Sequence, residues 1–221
     1  MHISNERYFR DRRRHDLALR MIRHEARTQT IRSCTGLTDD RIRRLFKTYT
    51  RHQPNPTVRR RRGKSPRQIA YFTRNVHMQF EASCLSSVFA AFGLLRCHRS
   101  TLGDETSLEC GERFCDAFET HRQVLPGARI SFEHAWFLLQ LLNRGASLRP
   151  VSCRHCSSRY LRDRLNAAAR HCPFCELKSP ATEAVSSPPA VPAERRRRPV
   201  ASGGPSAPVL NVCRSDEYPS C

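Results

Sequence analysis

Four cysteines in the C-terminal part of the chain are spaced as two Cys-x2-Cys pairs with 15 residues between them, in the segment CRHCSSRYLRDRLNAAARHCPFC. A Cys-x2-Cys turn places two thiolates at the separation that one metal ion needs, and two such turns complete a tetrahedral zinc site. Four thiolates leave no position for water or substrate, so the metal has a structural role. The spacing therefore predicts one structural Zn²⁺, held by Cys153, Cys156, Cys172 and Cys175.

Three other interpretations of this segment stay open at the level of sequence. His155 or His171 could replace one cysteine in a site of three thiolates and one imidazole, although one thiol would then have no role. An iron–sulfur cluster also accepts four cysteines. A redox dithiol needs only one such pair, and no βαβ pattern surrounds these. Zinc is favoured on spacing, and the strand-like SLRPVSC before the first pair indicates a small ribbon or knuckle.

The net charge of +19 predicts an anionic partner, either nucleic acid or a membrane surface. Residues 1–67 carry 20 Lys and Arg against 6 Asp and Glu, whereas residues 68–146 are close to neutral. The apolar runs are far shorter than the roughly 18 residues that span a bilayer, and the N-terminal stretch has no apolar signal region. We therefore expect a cytoplasmic protein without a membrane partner, whose 11 cysteines are not a disulfide framework.

Residues 1–146 show helical periodicity and no alternation typical of a sheet. Apolar residues recur every three or four positions from Ile69 to Leu95, after Pro66 as a start signal. The segment ISFEHAWFLLQLLNRG predicts a helix capped by Ser131 and ended by Gly145, and it is apolar around most of its circumference. Neither a serine elbow nor a phosphate loop nor a two-histidine metal helix is evident, so we expect no enzyme.

The stretch TIRSCTGLTDDRIRRLFKTY, within residues 26–50, has the pattern of a helix-turn-helix. Gly36 suits the left-handed turn, Thr38 can cap the second helix, and Asp39 and Asp40 suit its first turn. The exposed side chains of the second helix would then be Arg41, Arg43, Arg44 and Lys47. A plain helical hairpin with solvated charges is the alternative, but arginine runs on both sides favour contact with DNA phosphates.

Composition divides the chain into four regions. They are a basic region at 1–67 with the helix-turn-helix, a helical body and partner interface at 68–146, a zinc module at 147–178, and a tail at 179–221. The tail is rich in Pro, Ala, Ser and Gly, which predicts disorder. The predicted fold is mostly α: a helical bundle with a helix-turn-helix-like segment, then a small zinc ribbon or knuckle with four cysteine ligands, then the disordered tail.

In combination, TGLTDDRIRRLFK, NVHMQFEASC, HAWFLLQLLNRG and the paired cysteines resemble the FlhC family of flagellar transcriptional activators, over roughly residues 15–178. The resemblance implies a DNA-binding activator that assembles with an FlhD-type subunit in a hetero-oligomer, binds double-stranded promoter DNA and recruits RNA polymerase. It implies zinc at the four cysteines. The candidate DNA contacts are Thr38, Arg41, Arg43, Arg44, Lys47, Arg59, Arg60, Arg61 and Arg62 in the basic region, and Arg159 and Arg162 in the zinc module.

Two rival functions remain at this point. An RNA-binding zinc-ribbon protein without promoter specificity would account equally well for the charge, although the aromatic residues that stack unpaired bases are not interleaved with it. A thiol-based redox enzyme would need a reactive, low-pKa cysteine.

Overall fold

The computed structural model describes residues 2–51, 58–61, 63–96, 105–145, 147–165 and 172–178. In these residues the chain forms seven α-helices and one two-stranded sheet, which confirms the mostly α prediction. The helices are α1 (His2–Arg23), α2 (Thr28–Thr35), α3 (Asp39–Arg51), α4 (Val76–Ala91), α5 (Glu105–Val124), α6 (Phe132–Arg144) and α7 (Pro173–Lys178); the strands are β1 (Leu148–Ser152) and β2 (Arg159–Asp163). No helix in these ranges is long and apolar enough to cross a membrane. The predicted disordered tail and Arg62 lie outside them.

Local sequence signals set several of the helix ends. The Ser131 side chain accepts from the backbone N–H of His134, and Gly145, at φ 64°, closes the other end of α6. Gly36 takes the left-handed conformation at φ 68°, and its N–H donates to the Arg32 carbonyl at the end of α2. The Thr38 hydroxyl accepts from the Arg41 N–H at the start of α3. These predicted caps are confirmed.

Helix α4 begins later than the periodicity predicts. Ile69–Phe72 form a separate 3₁₀ turn, and α4 starts only at Val76. The physical reason is Asn75, whose side-chain oxygen accepts from the Met78 N–H at 2.8 Å and caps a new helix. A pattern of apolar residues alone does not distinguish one helix from a turn followed by a helix.

The core is an aromatic and aliphatic cluster at the centre of the helices. Phe114 of α5 packs edge-on against Phe132 and Trp136 of α6, with ring centroids 4.9 Å apart in each case. Ile31 of α2 and Phe89 of α4 are also buried in this cluster. The helix-turn-helix segment and the helical body therefore share one core.

Beyond α6 the chain forms an antiparallel hairpin, in which Leu148 of β1 pairs with Asp163 of β2 and Ser152 pairs with Arg159. The turn between the strands carries the first cysteine pair, and the second pair lies at the start of α7. The hairpin and the short helix form the small cysteine module that the sequence predicts.

Candidate metal centre and nucleic-acid interface

The structure brings the four predicted ligands together. The Sγ atoms of Cys153, Cys156, Cys172 and Cys175 all lie within 4.8 Å of one another. The cysteines are free thiols, with Sγ–Sγ distances of 3.7 Å between Cys153 and Cys175 and 3.6 Å between Cys156 and Cys172. Four metal–sulfur bonds of about 2.3 Å at tetrahedral angles place sulfurs about 3.8 Å apart. The cluster can hold a metal ion, and its geometry fits a tetrahedral one.

The turn between the strands shapes the first half of this centre. The Cys153 N–H donates to the Ser158 carbonyl at 2.9 Å, and the Ser157 N–H donates to the Cys153 carbonyl at 3.0 Å. Ser157 adopts a left-handed φ of 58°, which turns the chain sharply after the second cysteine. His155 is exposed and contributes its backbone N–H, which donates to the Cys153 sulfur at 3.4 Å. Its imidazole is not part of the cluster, and His171 lies outside the described residues.

Hydrogen bonds to sulfur prepare this side of the centre for a cation. The hydroxyl and backbone of Ser158 lower the pKa of the Cys156 thiol to about 6. Backbone hydrogen bonds from Cys156 and His155 also lower the pKa of Cys153. In the other pair, the hydrogen bond with Cys156 raises the pKa of the Cys175 thiol to about 12, and burial raises the pKa of Cys172. Thiolate is the form of cysteine that ligates metal ions.

The cysteine module is docked on the helical body. Leu161 of β2 is fully buried, and the ring of Phe174 in α7 packs edge-on against Phe80 of α4, with centroids 4.9 Å apart. Two side chains of α4, Gln79 and Ser83, also bond to the backbone of Leu161. The sequence gives no local sign of these bonds, because the partners are about 80 residues apart.

A buried carboxylate of α6 binds the start of α2 and so holds the helix-turn-helix in place. The sequence alone did not predict this contact. Glu133 of α6 is 6% exposed; its Oε1 accepts from the Arg27 N–H at 2.8 Å and its Oε2 from the Thr30 hydroxyl at 3.1 Å. These donors lie at the first turn of α2, where N–H groups lack partners within the helix. The carboxylate thereby fixes α2 on α6.

The predicted DNA contacts of α3 fall into two groups. Arg41 forms an ion pair with Asp11 of α1 at 3.2 Å, and Arg43 forms one with Asp40 at 2.9 Å. Arg44 and Lys47 are exposed and form no ion pair with any residue that the structure describes. Both groups lie on the outer side of α3, since Ile42 is the buried residue of this helix.

The run of arginines that follows α3, from Arg59 onward, is bound by Glu25. One oxygen of Glu25 accepts from the Arg59 N–H at 3.2 Å, while the other accepts from the Arg61 guanidinium at 2.7 Å. The Arg27 guanidinium donates to the Gly63 carbonyl. Arg59 and Arg60 keep exposed side chains, whereas Arg61 is paired with Glu25.

In the cysteine module Arg159 is exposed and Arg162 is partly buried. The two therefore do not offer the same access to an external phosphate.

Comparison with known families gives a match over most of the chain. The family model FlhC, flagellar transcriptional activator, matches residues 4–187. The chain belongs to the FlhC family. The matched range includes both the helix-turn-helix segment and the four cysteines. FlhC is a family of transcriptional regulators and not a class of enzymes, in agreement with the sequence prediction. Comparison with curated proteins gave no match.

Proposed function

We propose that this FlhC-family chain activates flagellar genes by binding double-stranded promoter DNA in the cytoplasm, together with an FlhD-type subunit, and that it recruits RNA polymerase there. Family membership supports the activator role. The observation that carries DNA binding is the outer side of α3, where Arg44 and Lys47 are exposed. The arginine run held by Glu25 follows α3 in the chain. In a helix-turn-helix this second helix enters the major groove.

The proposed DNA contacts fall into two groups: residues that reach base edges, and anchors, which are residues that neutralise phosphates. Thr38 and Arg41 lie at the N-terminal end of α3, the part of a recognition helix that reaches base edges. The ion pair between Arg41 and Asp11 is about half exposed, so it is weak in water and exchanges readily for a contact with DNA. Arg43, Arg44 and Lys47 along α3, Arg59 and Arg60 after it, and Arg159 and Arg162 on the hairpin are anchors that neutralise phosphates.

Zinc is the metal that we assign to the four cysteines. Sulfur–sulfur distances of 3.6 and 3.7 Å match a tetrahedral Zn²⁺ site, and four thiolates form the closed donor set of a structural zinc. Bound there, the ion would join the hairpin turn to α7 and keep Arg159 and Arg162 at a fixed place beside the helical body.

The test is fluorescence anisotropy on the chain co-expressed with its FlhD-type subunit. Three probes of equal length are titrated at fixed salt: a flagellar promoter duplex, a scrambled duplex and a single-stranded RNA. We expect preference for the promoter duplex. Arg44→Ala removes one proposed phosphate anchor, so it should weaken the binding of both duplexes about equally and lower the salt dependence of the affinity by about one phosphate contact. Arg144→Ala, which removes the same charge at the end of α6, is the control. Equal binding of all three probes would contradict promoter recognition.

One observation favours the second candidate, a nucleic-acid-binding protein without promoter specificity. Contrary to the expectation from sequence, two aromatic residues are interleaved with the arginines: Tyr8 and Phe9 of α1 lie between Arg7 and Arg10 and are 62% and 54% exposed. Exposed rings between arginines can stack unpaired bases. Preferential binding of the single-stranded RNA, lost on Phe9→Ala, would support this function instead.

A further inference from the structure

A cavity of about 390 Å³ lies between the start of α4, the loop from α5 to α6, and α7. Each of the three elements contributes apolar side chains: Met78 and Phe80 from α4, Leu125 from the loop, and Leu177 from α7. Pockets that bind small molecules have volumes of about 300–1,000 Å³, so this cavity has room for a large side chain. None of the proposed metal ligands or DNA contacts lines this cavity.

The rim of the cavity is cationic. Its positive charge comes from Arg74 and Arg129, which are exposed at the edge and form no ion pair with a residue that the structure describes. The Arg74 guanidinium lies over the Tyr71 ring, 4.8 Å from its centroid, so its position is already restricted. The acidic residue in the wall is Glu81, which is 5% exposed and accepts from the Ile130 N–H at 2.6 Å. The Glu81 carboxylate is therefore bonded to the backbone at the end of the loop from α5 to α6.

The walls are already formed in the free chain. The Arg122 guanidinium donates to the Ala128 carbonyl at 2.6 Å, and the Ala128 N–H donates to the Leu125 carbonyl at 2.9 Å, which closes the loop as a turn. On the other side, the contact between Phe80 and Phe174 holds α7 against α4. A preformed cavity loses little entropy on binding.

We propose that this cavity binds an acidic peptide segment of a partner protein. One large apolar side chain of that segment occupies the cavity, and carboxylates on either side of it pair with Arg74 and Arg129. The apolar interior favours an apolar side chain, and the cationic rim favours carboxylates on either side of it. Duplex DNA offers the negative charge but no apolar side chain that could enter, whereas a peptide offers both. An apolar anchor flanked by charge-assisted hydrogen bonds is a common arrangement at binding hot spots.

Binding at this cavity should depend on the cysteine centre. Leu177 follows Cys175 by two residues, on the six-residue helix α7. A helix of this length is not stable alone, so its position depends on the contact of Phe174 with Phe80 and on the cysteines at its start. If the four cysteines hold a metal, as proposed above, its removal would loosen this wall and lower peptide affinity, while the loop and the start of α4 remain.

Three fluorescein-labelled nonapeptide pools, titrated by anisotropy against the full chain, test the proposal. The first has Asp or Glu on both sides of a central Leu, Phe or Met; the second has Ser at the centre; the third has Lys in place of the acids. We expect binding of the first pool alone. The double variant Arg74→Ala, Arg129→Ala should weaken it at least tenfold, and Leu125→Glu should do the same by placing a negative charge in the wall.

Arg144→Ala, whose residue does not line the cavity, should bind the first pool like the unchanged chain, and promoter affinity is measured in parallel on every variant. Failure of promoter binding alone would count against the proposed function and leave the peptide site standing. Absence of binding by the first pool, equal binding of the second, or unchanged affinity in the double variant would overturn the peptide site. Loss of DNA affinity in the double variant, with peptide affinity unchanged, would make nucleic acid the ligand.

Discussion

The side-chain amide of Gln79 donates to the backbone carbonyl of Leu161 over 2.8 Å and so joins α4 to the second strand of the hairpin. The Ser83 hydroxyl, one turn further along α4, accepts from the N–H of the same leucine at 2.9 Å. Both polar groups of a buried strand residue therefore find their partners on a helix. The cysteine module is thus docked through its backbone as well as through apolar packing.

Ser83→Ala should loosen this docking. The substitution leaves the Leu161 N–H buried without a partner, at a cost of about 1–3 kcal/mol. Urea unfolding should report the loss of stability, and hydrogen exchange should show faster exchange at the Leu161 amide. Ser87→Ala is the matched control, since Ser87 donates to the Ser83 carbonyl within α4. Unchanged exchange at Leu161 would show that the hydroxyl is not the acceptor.

Gly111→Ala should destabilise the bundle although it lies within a helix. A Cβ at this position would meet the Cβ of Cys34 and Cδ2 of Leu17, each at 2.8 Å. Overpacking of this kind costs about 1–3 kcal/mol, while alanine gains up to about 1 kcal/mol over glycine in a helix interior. The melting temperature should therefore fall. Gly127→Ala, whose Cβ would meet nothing within 4 Å, should leave it nearly unchanged.

Glu119 should give the stability a defined dependence on pH. Hydrogen bonds from Arg20 and His24 lower the pKa of Glu119 from 4.5 to about 2. Because the folded pKa is depressed, the stabilisation is complete above pH 4.5 and is lost as the pH falls toward 2. The side chain is 34% exposed, so solvent screening leaves about 1 kcal/mol.

Glu119→Gln is therefore expected to lower the free energy of unfolding at pH 7, and the difference from the unchanged chain should shrink toward pH 2. Denaturant titrations across this range measure it. Glu109→Gln, which removes an exposed pair with Arg113 at 3.7 Å, is the control. A constant difference at every pH would exclude the carboxylate charge as its source.

Cys156→Ser should reduce the bound zinc to well below one ion per chain. Loss of the ion releases the link between the hairpin turn and α7, so exchange protection should fall in β1, β2 and α7. The helical circular dichroism signal should be largely kept, since most residues of the core cluster lie in α1 to α6. Cys84→Ser, at a cysteine outside the cluster, should retain the metal. Full metal content in Cys156→Ser would contradict the four-cysteine site.

Local signals made the helix caps, the left-handed glycine and the cysteine cluster predictable. The caps depend on residues close in sequence, such as Ser131 and Gly145 at the two ends of α6. The cysteine cluster depends on the fixed geometry of one metal ion, which two Cys-x2-Cys turns satisfy when they lie side by side. The start of α4 was not predictable from periodicity, since the cap at Asn75 competes with an apolar pattern that continues through it.

Bonds between distant residues could not be predicted from one sequence. Arg41 pairs with Asp11 across 30 residues, and Glu133 accepts from Arg27 across 106. Nothing near Glu133 in the chain distinguishes it from an exposed helix glutamate; only the packing of α6 against α2 places its oxygens at the Arg27 N–H and the Thr30 hydroxyl. The same applies to the cationic cavity, whose walls come from three separate segments.

The contacts of Glu25 with Arg59 and Arg61 have a consequence for how many arginines can serve a ligand. One guanidinium of the run is used inside the molecule, where it holds the backbone on which its neighbours stand. A fully unattached run would lose the conformational freedom of its chain on meeting an anion, and that loss would subtract from the affinity. Here much of that ordering is complete before any ligand arrives, so two arginines on a fixed support can bind as strongly as a larger number on a loose one.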